Sequence, residues 1–100
     1  MIELEDAVME IIVNAGQSRS LCFEALHAAR TGNIDEARLL LNDADGDARR
    51  AHQMQTHLIR QDAGEARQPM TLIMVHAQDH LMNSLLARDF SEELIHLYQR

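Results

Sequence analysis

The chain has 100 residues, one domain's length, and 46% of them are apolar, yet it contains no Trp, one Tyr and two Phe. Four glycines and one proline give too little turn chemistry for a many-stranded sheet, which excludes an all-β sandwich; the apolar content excludes a disordered tail. Nine basic residues, all Arg, against 16 acidic ones leave a net charge of −7, which repels phosphate backbones and anionic lipid.

Ala, Leu, Met, Glu, Arg and Gln make up more than half of the chain, and these residues lose little on entering a helix. A lone cysteine, Cys22, can form no internal disulfide. No window reaches the roughly 18 unbroken apolar residues of a membrane helix. The acidic start, Met1-Ile2-Glu3-Leu4-Glu5-Asp6, is wrong for a secretory signal, so a soluble, cytoplasmic chain is expected.

The first helix is predicted over about 3–31. Its apolar or small residues Leu4, Val8, Ile11, Ala15, Ser18, Cys22, Ala25 and Ala29 are spaced alternately by three and four, the seam of a helix packed lengthwise on another. Thr31-Gly32-Asn33 ends it, with Gly32 suited to the left-handed conformation. Asn33 with Glu36 forms a capping-box pattern for the second helix, predicted over about 34–61. That helix repeats the seam with Ile34, Ala37, Leu41, Ala44, Ala48, Ala51, Gln55 and Leu58. A polar loop from Asp62 to Pro69 leads to a third helix, about 71–99, with Leu72, Val75, Asp79, Met82 and Leu86 on one stripe.

Helices of this length stretch roughly 40 Å at 1.5 Å per residue, and the chain can hold them only as an up-down-up antiparallel three-helix bundle, a single domain over 1–100. The third helix also carries Ile73, Met74, Ala77, Leu81, Leu85 and Ala87, and helix one has a second face through Ile12, Phe23 and Leu26. A helix apolar nearly all round is buried all round, so self-association is expected.

The residues that point to chemistry are Val75-His76-Ala77-Gln78-Asp79-His80-Leu81-Met82. His76 and His80 are neighbours on one helix face. Asp79 lies on the apolar stripe, where a carboxylate is costly unless a proton, an Arg or a metal neutralises it. The His pair has the spacing of a zinc site, but Ala77 stands where a metalloprotease needs its general-base Glu, and no third ligand stands out. His27, His52, His57 and His96 have no special company and read as surface residues. Cys22 reads as core, while for Arg19 and Gln17 salt bridging on a helix surface and a role in a site both stay open.

The run from Leu72 to Met82 resembles the active-site segment of phosphotransferase-system enzyme IIA proteins of the lactose/cellobiose (N,N'-diacetylchitobiose) type. Asn14-Ala15-Gly16-Gln17-Ser18-Arg19-Ser20 and Asp62-Ala63-Gly64-Glu65 extend the resemblance over nearly the whole chain, with Ser18 where the family usually has Ala. The resemblance implies a homotrimeric nine-helix bundle and a phosphoryl carrier. His76 would accept phosphate through Nε2 from phosphorylated HPr and pass it to a cysteine of enzyme IIB during uptake of a β-linked disaccharide such as lactose, cellobiose or chitobiose.

In that role His80 would support the phosphohistidine and Gln78 would help position it. Asp79 would meet its copies on the trimer axis, where a divalent cation such as Mg²⁺ would neutralise three carboxylates. The alternative reading is a helical oligomerisation or adaptor module without chemistry.

Overall fold

The predicted seams are realised as three long helices: α1, Leu4–Arg30; α2, Ile34–Ala63; and α3, Leu72–Tyr98. The computed structural model of the protein describes residues 3–100, and no strand occurs among them. The bundle is a rod of 51 × 19 × 18 Å. Every seam residue expected in α1 from Val8 to Ala29 is buried, and in α2 Ala37, Leu41, Ala44, Ala48, Ala51 and Leu58 are buried. Small side chains along both lines let the α1 and α2 axes approach closely.

The α1–α2 turn is a Schellman motif. Gly32 has φ +93°, a backbone conformation that side-chain-bearing residues rarely adopt. Its N–H donates to the Ala29 carbonyl at 3.1 Å, and the Asn33 N–H donates to the Ala28 carbonyl at 2.8 Å. The expected capping box is absent: Asn33 occupies the N-cap position but makes no side-chain cap bond. The turn already commits the Asn33 backbone to closing α1, and its ψ of 68° is not the extended value usual at an N-cap.

The loop between α2 and α3 is pinned by the Asp62 carboxylate, which accepts the Gln68 N–H at 2.7 Å. Thr71 then caps α3, its hydroxyl oxygen accepting the Met74 N–H at 3.2 Å. The cap fixes where α3 starts, four residues before His76.

On α3 the line facing α1 and α2 is Met74, Ala77, Leu81, Ser84, Ser91 and Ile95, all buried. The stripe picked out from the sequence, Leu72, Val75, Asp79, Met82 and Leu86, faces outward instead; Leu72 is 86% exposed. Both lines repeat at helical spacing, and the more hydrophobic one lies outside because the close helix contact selects Ala and Ser over Leu and Val. Phe90 and Leu97 continue the bare line towards the end of α3.

Two apolar clusters fill the rod. One gathers Val8, Ile11, Ala51, Leu58, Met74 and Leu81 at the end that carries His76. The other gathers Cys22, Ala25, Leu41 and Ile95 at the far end. Between them Ser18 donates to the Ala44 carbonyl at 2.9 Å and Ser84 to the Leu81 carbonyl at 2.7 Å. No buried side-chain polar atom among the described residues lacks a partner. No helix among those residues is long and apolar enough to cross a membrane.

Candidate functional site

His76 and His80 project from successive turns of α3 near the capped end. Their ring centroids are 5.5 Å apart and the planes meet edge-to-face at 77°. His76 is exposed and His80 half-buried. Helical side chains lean towards the N-terminus, so the His80 ring lies over the turn that carries His76.

Beneath His80 is α1. A Cβ placed on Gly16 would lie 3.6 Å from the His80 Cε1, so the ring edge rests over bare backbone. The bundle order makes α1 and α3 parallel, and Gly16 stands level with His80. Neither imidazole has a side-chain hydrogen-bond partner among the described residues.

The structure separates Gln78 from this pair. Two residues on from His76 is about 200° around a helix, and the Gln78 side chain faces α2. Gln55 Nε2 donates to its Oε1 at 2.6 Å, and its own Nε2 lies 3.5 Å from the Met74 sulfur. Asp79 is exposed on the outward stripe, and among the described residues its one side-chain partner is Asn83, whose Nδ2 donates at 3.3 Å. In a single chain the carboxylate is solvated and needs no neutralising group, because the stripe it lies on faces outward.

Among the described residues no cluster of three His, Cys, Asp or Glu side chains could hold a metal ion. One chain offers a single carboxylate at Asp79. An oxygen-ligated cation would fit there only if copies of the chain brought several such carboxylates together.

Arg19 and Gln17 are both exposed on α1. The Arg19 guanidinium stacks over the Phe23 ring at 5.1 Å from its centroid and makes no ion pair among the described residues. The remaining histidines serve local surfaces: His27 meets Arg30, His57 meets Gln61, and His96 meets Arg38 at 3.2 Å, while His52 is exposed. Cys22 is buried as expected, and burial pushes its thiol above the ordinary value.

Sequence reasoning missed two contacts that set the pair: Gly16 under His80, and Gln55 against Gln78. A glycine in the interior of an otherwise regular helix pattern was the one available signal for the first.

The family model for the lactose/cellobiose-specific IIA subunit of the PTS system matches residues 6–99. The lichenan-specific phosphotransferase enzyme IIA component of Bacillus subtilis is 45% identical over 98 residues, covering 98% of this chain and 89% of its own. The crystal structure of the cellobiose-specific enzyme IIA from Bacillus anthracis aligns with a TM-score of 0.93 at 34% identity, covering 99% of this chain and 92% of that one. A further neighbour comes from the solution structures of the IIA(chitobiose)–HPr complex of Escherichia coli, with a TM-score of 0.85 and 43% identity over 99% of this chain and 96% of that one.

Proposed function

The chain belongs to the lactose/cellobiose-specific IIA family of the phosphotransferase system, and from that premise we propose that it carries a phosphoryl group on His76. The observation that supports this reading most directly is an exposed imidazole with no hydrogen-bond partner among the described residues, seated one turn from a second imidazole. The donor is phosphorylated HPr, the partner of the Escherichia coli relative in its complex, and the acceptor is a cysteine of enzyme IIB.

In the first step the Nε2 lone pair of His76 attacks phosphorus. The new N–P bond forms as the bond to the HPr carrier breaks, and the donor leaves with its electron pair. In the second step the IIB thiolate attacks the same phosphorus and the His76 N–P bond breaks, restoring a neutral imidazole. Such transfers are driven by positioning and by stabilisation of charge on the phosphoryl oxygens, with little covalent work for other groups. His80, one turn on, donates an N–H to those oxygens. Gln78 acts at one remove, by holding the rotation of α3 through Gln55.

The outward stripe of α3 is the interface of a homotrimer, a nine-helix bundle in which Leu72, Val75, Met82 and Leu86 meet their copies. Exposed apolar lines of this extent mark association surfaces, and one such stripe along each rod fits a threefold axis. Three Asp79 carboxylates then converge and repel one another. Their oxygens are the hard donors that Mg²⁺ takes, and the ion would supply charge neutralisation at the axis. The carried phosphate serves uptake of a β-linked sugar, the class for which the relatives are named.

Incubation with enzyme I, HPr and phosphoenolpyruvate tests the carrier role. A single acid-labile, alkali-stable phosphoryl group per chain is expected, absent from His76→Ala. Failure of the wild type to label would leave a helical oligomerisation module. Label that persists in His76→Ala would move the site to another histidine. If the acidic surplus steers HPr, transfer slows as salt rises.

A further inference from the structure

The one glycine inside α1 lies directly under His80, and its backbone does not require it. Gly32 is the only glycine with positive φ, so Gly16 has ordinary helical geometry that Ala would adopt at a gain of about 1 kcal/mol in helix propensity. Space does not require it either in the resting state, because a Cβ there would make an ordinary 3.6 Å contact with His80 Cε1. What the missing Cβ changes is the freedom of the ring. On its other side His80 meets His76 edge-to-face, and no hydrogen bond holds either of its nitrogens among the described residues.

We propose that Gly16 is a positioning residue for phosphoryl transfer: it leaves the Cε1 edge of His80 over bare backbone, so that the imidazole can turn its N–H to a phosphoryl group arriving on His76. The proposal rests on the carrier reading above. In the resting geometry the two rings stand at 77°, with an edge of one towards the face of the other. A phosphoryl group on His76 Nε2 adds three oxygens outside the ring, and a donor on the next turn must rotate or shift to meet them. The side of His80 that faces α1 is the side on which the missing Cβ leaves room. A methyl group on Gly16 would close that side without disturbing the fold.

Gly16→Ala is the test, with Gly46→Ala as the control; Gly46 is also inside a helix, and its nearest neighbour is the flexible tip of Arg50 at 3.8 Å. The wild type is labelled first, so that a failure of the carrier reading is seen separately. Gly16→Ala should melt no lower than the wild type. Its single-turnover phosphorylation by phospho-HPr should slow on the order of tenfold, a part of the ~10²-fold that misplacement of reacting groups can cost. The concentration of phospho-HPr giving half the maximal rate should not change. Gly46→Ala should transfer at the wild-type rate.

The second measurement is nuclear magnetic resonance of the His80 ring nitrogens before and after phosphorylation. In the wild type their shifts should move towards those of a hydrogen-bonded donor, and in Gly16→Ala they should move less. In a His80→Ala background Gly16→Ala should cause no further loss. Wild-type rates in Gly16→Ala, or equal His80 shifts in the two proteins, would overturn the proposal, as would an undiminished Gly16→Ala effect without His80.

Discussion

Gln55 and Gln78 join their side-chain amides across the α2–α3 interface, the Nε2 of Gln55 donating to the Oε1 of Gln78 at 2.6 Å. Both are half-buried, and Gln78 sits two residues after His76, so the bond fixes how far α3 is rotated and where the imidazole points. Replacing either by Leu strips one amide of its partner. Each single change should cost about 1 kcal/mol in urea unfolding, and the double change less than the two together. Phosphorylation by phospho-HPr should fall only severalfold in Gln78→Leu, against complete loss in His76→Ala.

Asp79 tests the assembly. The proposed trimer places three carboxylates on one axis, and like charges at that distance need compensation. Sedimentation of the wild type should show dissociation when a chelator strips divalent cations and recovery when Mg²⁺ is returned. Asp79→Leu removes the repulsion and extends the apolar stripe from Val75 to Met82, so its trimer should survive the chelator. A wild-type trimer indifferent to chelator would remove the cation from the interface.

Most of the fold was legible because burial in α1 and α2 follows the alternating three- and four-residue spacing of their apolar and small residues. Ala15, Ser18, Cys22 and Ala25 in α1 and Ala37, Leu41 and Ala44 in α2 are all buried where the period put them. In α3 the period failed to choose between two lines, because it gives direction on the helix and not the identity of the neighbour. The line that mixes Ala77, Ser84 and Ser91 with Met74, Leu81 and Ile95 went inward, and the line of Leu72, Val75, Met82 and Leu86 outward. The His pair was legible from its spacing alone. Gly16 and Gln55 were not, since each acts through a residue more than twenty positions away, and only the docking of the helices brings them together.

Cys22 gives the bundle an alkaline limit. Burial is the largest effect on its thiol and raises it from 9.0, with the nearby Ser91 hydroxyl and the Arg88 charge working against the rise. A group raised in the folded state contributes stability that is fully present below its unfolded value and is lost as pH climbs through the folded one. Unfolding free energy should therefore be flat with respect to this thiol at neutral pH and decline above about pH 9. Cys22→Ala should lose about 1–2 kcal/mol at neutral pH from the smaller side chain but show a shallower alkaline decline. Thiol labelling of the native protein at neutral pH should proceed only as fast as the bundle opens.

Arg88 holds the middle of the α2–α3 interface. Its guanidinium forks onto both oxygens of Asp45, and it also reaches Glu92 at 3.1 Å and Asp89 at 3.6 Å. The hydrogen bond to Asp45 is the largest influence on it and raises its pKa further, so it stays charged at any pH where the protein folds. Arg38 adds a second cation, 3.8 Å from Glu92. The two ways of breaking this network are unequal. Asp45→Asn leaves Arg88 with Glu92 and Asp89 still beside it. Arg88→Met leaves Asp45, Glu92 and Asp89 facing one another with Arg38 alone nearby, in a chain already at −7. Breaking a fully buried pair costs about 3–5 kcal/mol; with Arg88 23% exposed, about 1–3 kcal/mol is expected for Arg88→Met and less for Asp45→Asn. Added salt should restore part of the loss in Arg88→Met by screening the three acids, and little of it in Asp45→Asn. Phosphoryl transfer should be unchanged in both, because the network lies twelve residues along α3 from His76.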